Sequence, residues 1–143
     1  MVFLGVCLLA PGCARMSASA QHTCSATDKQ FIDTTRLNMD ALGYWSQDLA
    51  TGDAQPSEVI AQTKAAAARV EATDPTDPSL SQTRQIVRAM LIEYWRAVAA
   101  QVHHREAGTH MMRAYGLANF AHDVLARAQP ALLSKGCNVS PLL

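Results

Sequence analysis

Apolar residues recur at intervals of three and four from Phe31 to Leu133, and that pattern limits the possible folds more than any other feature of the chain. Such spacing lays a stripe along one face of a helix, whereas a half-buried strand alternates every second residue. No segment carries β-branched alternation bounded by turn residues, so the sequence predicts an all-α domain. Three breaks divide the periodic region: Thr51-Gly52-Asp53, Asp74-Pro75-Thr76-Asp77-Pro78 and Gly108-Thr109. Four amphipathic helices joined by short connections predict an up-and-down antiparallel four-helix bundle.

Local signals place the helices. The first is expected from Ala26 to about Ala50, with Ser25 and Asp28 as a capping box and Phe31, Ile32, Thr35, Met39, Leu42, Trp45 and Leu49 as its apolar stripe. Pro56 opens the second, whose Ala65 to Ala68 run offers little volume and favours close packing. The third is expected from Ser79 or Ser81 to about Glu106, carrying Ile86, Val87, Met90, Leu91, Tyr94, Trp95, Val98 and Val102. Gly108 reads as a stop and Thr109 as the cap of the fourth, whose stripe is Met111, Met112, Tyr115, Ala118, Ala121, Val124, Leu125 and Ala128. Pro130 should bend or restart that helix, and Gly136 should end it beside Cys137.

The 143 residues suit one domain, and 49% hydrophobic with 17% charged residues excludes collagen and low-complexity disorder. The net charge of +0 removes the broad basic surface that non-specific nucleic-acid binding needs, so nucleic acid is not an expected partner. Charge is nevertheless uneven. Nine acids and four bases lie from Asp28 to Asp77, against three acids and seven bases from Leu80 to Leu143, which predicts an acidic helical hairpin packed on a basic one.

Residues 1–20 read as a signal segment, with the helical domain at 21–143. Val2 to Leu9 is apolar but shorter than the roughly 20 residues that span a bilayer, and Ala18-Ser19-Ala20 fits a cleavage site that leaves Gln21 first. No Lys or Arg precedes the apolar run. Leu9-Ala10-Pro11-Gly12-Cys13 also resembles the lipobox of bacterial lipoproteins, which implies acylation at Cys13 and membrane attachment through it alone. The chain is therefore expected to be exported, either free in the periplasm or extracellular space or anchored by lipid. An Ala- and Arg-rich, Lys-poor composition points to a bacterial source, where the sequon Asn138-Val139-Ser140 carries no meaning.

Export leaves Cys24 and Cys137 as a pair flanking the helical region, and two cysteines allow one intramolecular bridge. The chain has no Gly-rich phosphate loop, Gly-x-Ser-x-Gly elbow, His-Glu-x-x-His, Glu-x-x-His or Cys-x-x-Cys-His motif. A non-enzymatic binding role is the expectation, with an envelope protein or a small apolar ligand as partner. Trp45, Tyr94, Trp95 and Tyr115 could meet at one level of the bundle as core, or open a ligand cleft between helices. Glu93 is expected to be an exposed carboxylate near Arg96.

A metal-handling alternative rests on His103, His104, Glu106 and His110, which suit zinc or copper, with Met111 or Met112 adding soft donors for copper. His103 and His110 would stand about 10 Å apart along an unbroken helix, so only the pairs with Glu106 are within chelating reach. A non-covalent haem held by Met39 or Met90 with His122 is a further expectation of the same class.

Overall fold

The computed structural model describes residues 23–103 and 105–143. The signal segment at 1–20 with its Cys13, and the ligand candidate His104, lie outside the described residues. Four helices run up and down: α1 (Ala26–Thr51), α2 (Pro56–Glu71), α3 (Pro78–Val102) and α4 (Gly108–Ser134), followed by a 3-10 turn at Ser140–Leu142. No strand occurs among the described residues, and no described helix is long and apolar enough to cross a membrane.

Capping chemistry sets most of the boundaries. The Ser25 hydroxyl accepts from the Asp28 N–H at 3.0 Å while the Asp28 carboxylate accepts from the Ser25 N–H at 3.2 Å, satisfying two donors that the first helical turn leaves free. Pro56 and Pro78 each sit in a first turn, where a missing N–H costs nothing. Gly136, at φ 84°, takes the left-handed conformation that lets its own N–H and that of Cys137 bond back to Leu133 and Leu132.

Some boundaries differ from the sequence expectation. α3 stops at Val102 rather than Glu106, and Gly108 belongs to the first turn of α4 instead of standing before it. Thr109 therefore does not cap; Ala107 occupies the cap position and makes no side-chain bond. Pro130 neither breaks nor restarts α4. Ala126, whose carbonyl loses its partner there, is itself exposed, so the missing N–H leaves no buried acceptor unpaired.

α3 is the central helix and packs along both α2 and α4, whereas α1 leans mainly on α2. The core joins Phe31 and Ile32 of α1, Ala66, Ala67 and Val70 of α2, Leu80, Ile86, Val87, Met90 and Leu91 of α3, and Ala121, Val124, Leu125 and Leu132 of α4. The expected stripe of α4 is one residue off in its first half. Ala114 is buried, while Met112 and Tyr115 are 71% and 67% exposed, and Val102 at the end of α3 is likewise open to solvent. Asn38, absent from the expected stripe of α1, is buried because its carbonyl oxygen accepts two bonds from Arg69 of α2, at 2.7 and 3.0 Å.

The charge asymmetry becomes contact. Arg88 pairs with Glu71 at 3.0 Å and Lys135 with Asp77 at 2.7 Å, each joining a base of the second half to an acid of the first. Cys24 and Cys137 form a disulfide across a sequence separation of 113 residues, with their Cα atoms 5.1 Å apart. The Cys24 N–H also donates to the Lys135 carbonyl at 2.7 Å, so the start of α1 and the end of α4 are held by backbone as well as by sulfur.

Candidate functional site

The first and last helices of this bundle do not close on each other. No Cα of α1 comes within 8 Å of a Cα of α4. At the disulfide end the reason lies in the C-terminal segment. Val139 is fully buried, Leu142 packs against the core, and the turn at Ser140–Leu142 touches both α1 and α4. These residues act as a spacer that props the two helices apart.

Further along the seam nothing fills the gap, because the facing side chains are small. α4 contributes Ala114, Ala118 and Ala121, and α1 contributes Gly43, where a Cβ would meet nothing within 4 Å. Two adjoining cavities of about 310 and 290 Å³ result, sharing Met39, Met90 and Ala118 as common walls. Together they reach the range of about 300–1,000 Å³ typical of small-molecule sites. Met111 lines the second cavity, so three methionines from three helices border the seam. Flexible thioether side chains of this kind adapt to ligands of varied shape.

Polar groups in the seam are few. The Tyr94 hydroxyl and Ser46 Oγ bond to each other at 2.7 Å, and Ser46 Oγ donates to the Leu42 carbonyl at 2.7 Å. Thr35 lines the other cavity, and its Oγ1 is the one buried side-chain N or O atom among the described residues without a hydrogen-bond partner. Of the four aromatic residues expected at one level, Tyr94 and Tyr115 line the seam and Trp45 packs against the core. Trp95 turns elsewhere, with the Lys64 ammonium of α2 4.4 Å from its ring centre.

The metal-ligand candidates are distributed otherwise. His103 caps the end of α3 and is exposed, Glu106 is exposed in the α3–α4 connection, and His110 lies in the first turn of α4. His110 Nδ1 meets Glu93 Oε2 of α3 at 2.7 Å and not Glu106. Among the described residues, the one place where three His, Cys, Asp or Glu donors converge is Cys24, Asp28 and Cys137, where the sulfurs are bonded to each other. Met39, Met90 and His122, the haem candidates, do line one cavity.

Glu93 is not the exposed carboxylate expected from sequence. Its side chain is 12% exposed, and it accepts from His110 and, at 2.8 Å, from Arg96. The His110 hydrogen bond, with Arg96 adding to it, holds this carboxyl below the ordinary glutamate range despite opposing burial. At the disulfide end, burial pushes Asp28 upward, but bonds from the Asp77, Ser25 and Thr76 N–H groups, with the Ser25 side chain beside it, outweigh it and lower its pKa. Glu93 and His110 escaped sequence reasoning as a pair because 17 residues and a change of helix separate them.

No protein-family model, no curated protein and no solved structure matches this chain.

Proposed function

We propose that the protein is an exported, non-enzymatic binding module that holds a small apolar ligand in the seam between α1 and α4. The observation that carries this reading is the open seam itself: two adjoining cavities of about 310 and 290 Å³, bordered by three methionines and floored by small residues. An internal disulfide and the lack, among described helices, of a membrane-spanning segment fit a domain working in an oxidising compartment. Whether it is free or acylated at Cys13 is read directly from the mass of the mature N-terminal peptide.

The test is titration with N-phenylnaphthylamine, an uncharged probe that fluoresces in apolar surroundings. Wild-type protein should bind it saturably. Ala118→Phe, at the shared wall of the two cavities, should abolish binding, while Gly116→Phe on the other side of α4 should leave it intact. Equal binding by both variants would remove the seam as the site.

A second reading, soft-metal handling, is favoured by Met39, Met90 and His122 lining one cavity, since thioether and imidazole donors suit copper(I). Copper(I) titration of wild type against His122→Ala decides it. Indistinguishable affinities would set this reading aside.

A further inference from the structure

We infer that the protein associates with itself head to tail, the outer face of α1 in one copy seating in the groove between α3 and α4 of the next. That groove encloses about 610 Å³ and lies away from the seam. Ile92, Leu117 and the half-exposed Phe120 form its floor, and Arg88, Arg96 and Arg113 rim it. Its one acid, Glu93, is already engaged by Arg96 and His110. Arg88 reaches Glu71, whereas Arg113 has no ion pair with any described residue. An apolar floor under a cationic rim fits a partner that is apolar along its centre and acidic beside it.

α1 carries that pattern on its outermost face. Asp33, Leu37, Asp40, Tyr44 and Asp48 follow one another at intervals of four, three, four and four, and so form one stripe on the side away from the buried Phe31, Thr35 and Asn38. All five are exposed, Leu37 and Tyr44 at 59% and 69%. Two large apolar side chains aligned on the solvent face contribute nothing to the fold of a single molecule. Asp33 and Asp48 have no ion pair with a described residue, and Asp40 has a loose one with Arg36, 3.7 Å away.

The two surfaces share a spacing. Asp40, Tyr44 and Asp48 stand four residues apart on α1, as Arg88, Ile92 and Arg96 do on α3, so each set spans about 12 Å. A single register sets both aspartates against arginines with Tyr44 over Ile92. Arg113 completes the rim from α4, because the His110–Glu93 bond places it level with Met90, between the two α3 arginines. Each surface points away from its own core, so no molecule can join its own pair. The interface is heterologous and repeats from copy to copy. A contact one helix wide and about 22 Å long falls short of the roughly 1,200 Å² buried in a stable complex, which makes the association transient and concentration-dependent. None of these residues borders the seam, so the inference stands apart from the apolar-ligand reading.

Sedimentation velocity of the disulfide-bonded protein from about 10 μM to about 1 mM reads the association. At low salt the weight-average mass of wild type should climb with concentration and pass that of a dimer, and about 0.5 M salt should weaken the association about tenfold. Asp40→Lys with Asp48→Lys alters α1 alone, and Gly116→Phe alters the groove alone. Each variant by itself should stay monomeric, whereas an equimolar mixture should form a dimer and stop there, since one intact surface remains on each partner. Arg113→Glu, which adds no bulk to the groove, should weaken wild-type association about tenfold and provides a second groove variant. Wild type that is monomeric at about 1 mM in low salt overturns the inference, and so does wild type that stops at a dimer. Association unchanged in the α1 variant, or in both groove variants, also overturns it, as does a mixture that stays monomeric while both variants keep wild-type helicity.

Discussion

At the end of the bundle where α1 begins and α4 finishes, three devices act within a few residues of one another: the Cys24–Cys137 bond, the four donors converging on the Asp28 carboxylate, and the Lys135–Asp77 pair. At the opposite end the α1–α2 and α3–α4 connections are exposed, and among the described residues no hydrogen bond joins one to the other. Neither Gln55 nor Ala107 caps its helix with a side chain. The difference assigns separate tasks to the two ends. One fixes the register of all four helices and, through Val139 and Leu142, the spacing of α1 and α4; the other adds no comparable tie.

The largest break in that comparison is chemical reduction. In the chain-entropy account a bridge closing a loop of this length stabilises by roughly 4–5 kcal/mol, so a reductant should lower the melting temperature by on the order of 10 °C or more while low-temperature helicity stays nearly unchanged. Cys24→Ser with Cys137→Ser should reproduce the shift and remove the response to reductant. Two free thiols in protein from an oxidising compartment would contradict the bridge.

Asp28→Asn comes next, at roughly 2–3 kcal/mol, because it removes a charged acceptor shared by a helix cap and the α2–α3 linker. The folded-state pKa of Asp28 is lowered, so its contribution is complete above the ordinary aspartate value and is lost as pH falls through the lowered one. Denaturant melts should therefore separate wild type from Asp28→Asn at neutral pH and converge in acid. A gap that persists in acid would mean that the charge is not what the cradle recognises.

Glu93→Gln probes the α3–α4 contact nearer the open end, and about 1 kcal/mol is expected. The sign is the same: Glu93 is held low, so the loss appears above the ordinary glutamate value and fades as pH falls through the lowered one. The smallest effects come from paired glycine substitutions. Gly43 and Gly116 are interior helical positions with open space around a new Cβ, so Gly43→Ala and Gly116→Ala should each add roughly 0.5–1 kcal/mol. Only Gly43→Ala borders the seam, and only it should weaken N-phenylnaphthylamine binding.

Helices were legible where a residue type has one local use: Ser25 with Asp28, Pro56 and Gly136 each marked an end correctly, whereas Pro78, expected in the break, is the first residue of α3. Gly108 misled because glycine is tolerated in a first helical turn as well as after a last one. The face of α4 is ambiguous in its first part because the buried positions there, Ala114 and Ala121, are alanine, while the larger apolar residues Met112, Tyr115 and Phe120 are exposed. Asn38 is missing from the expected stripe because its partner, Arg69, lies on another helix. The seam itself leaves no periodic signal. Its width is set by the distance between helices, and the residues that prop it open, Val139 and Leu142, follow the last helix.

The position of the disulfide also governs when the molecule can be completed. Contacts among α2, α3 and α4 join neighbours along the chain, so they need only short loops to close and should form early. Cys137 follows the last of the four helices, whereas Cys24 precedes the first. A chain delivered N-terminus first into an oxidising compartment therefore presents Cys24 alone throughout the arrival of all four helices. Its thiol must stay unpaired, or be held by a disulfide-exchange catalyst, until Cys137 has followed the fourth helix. Sealing of the bond then comes after the arrival of all four helices rather than at a stage within it.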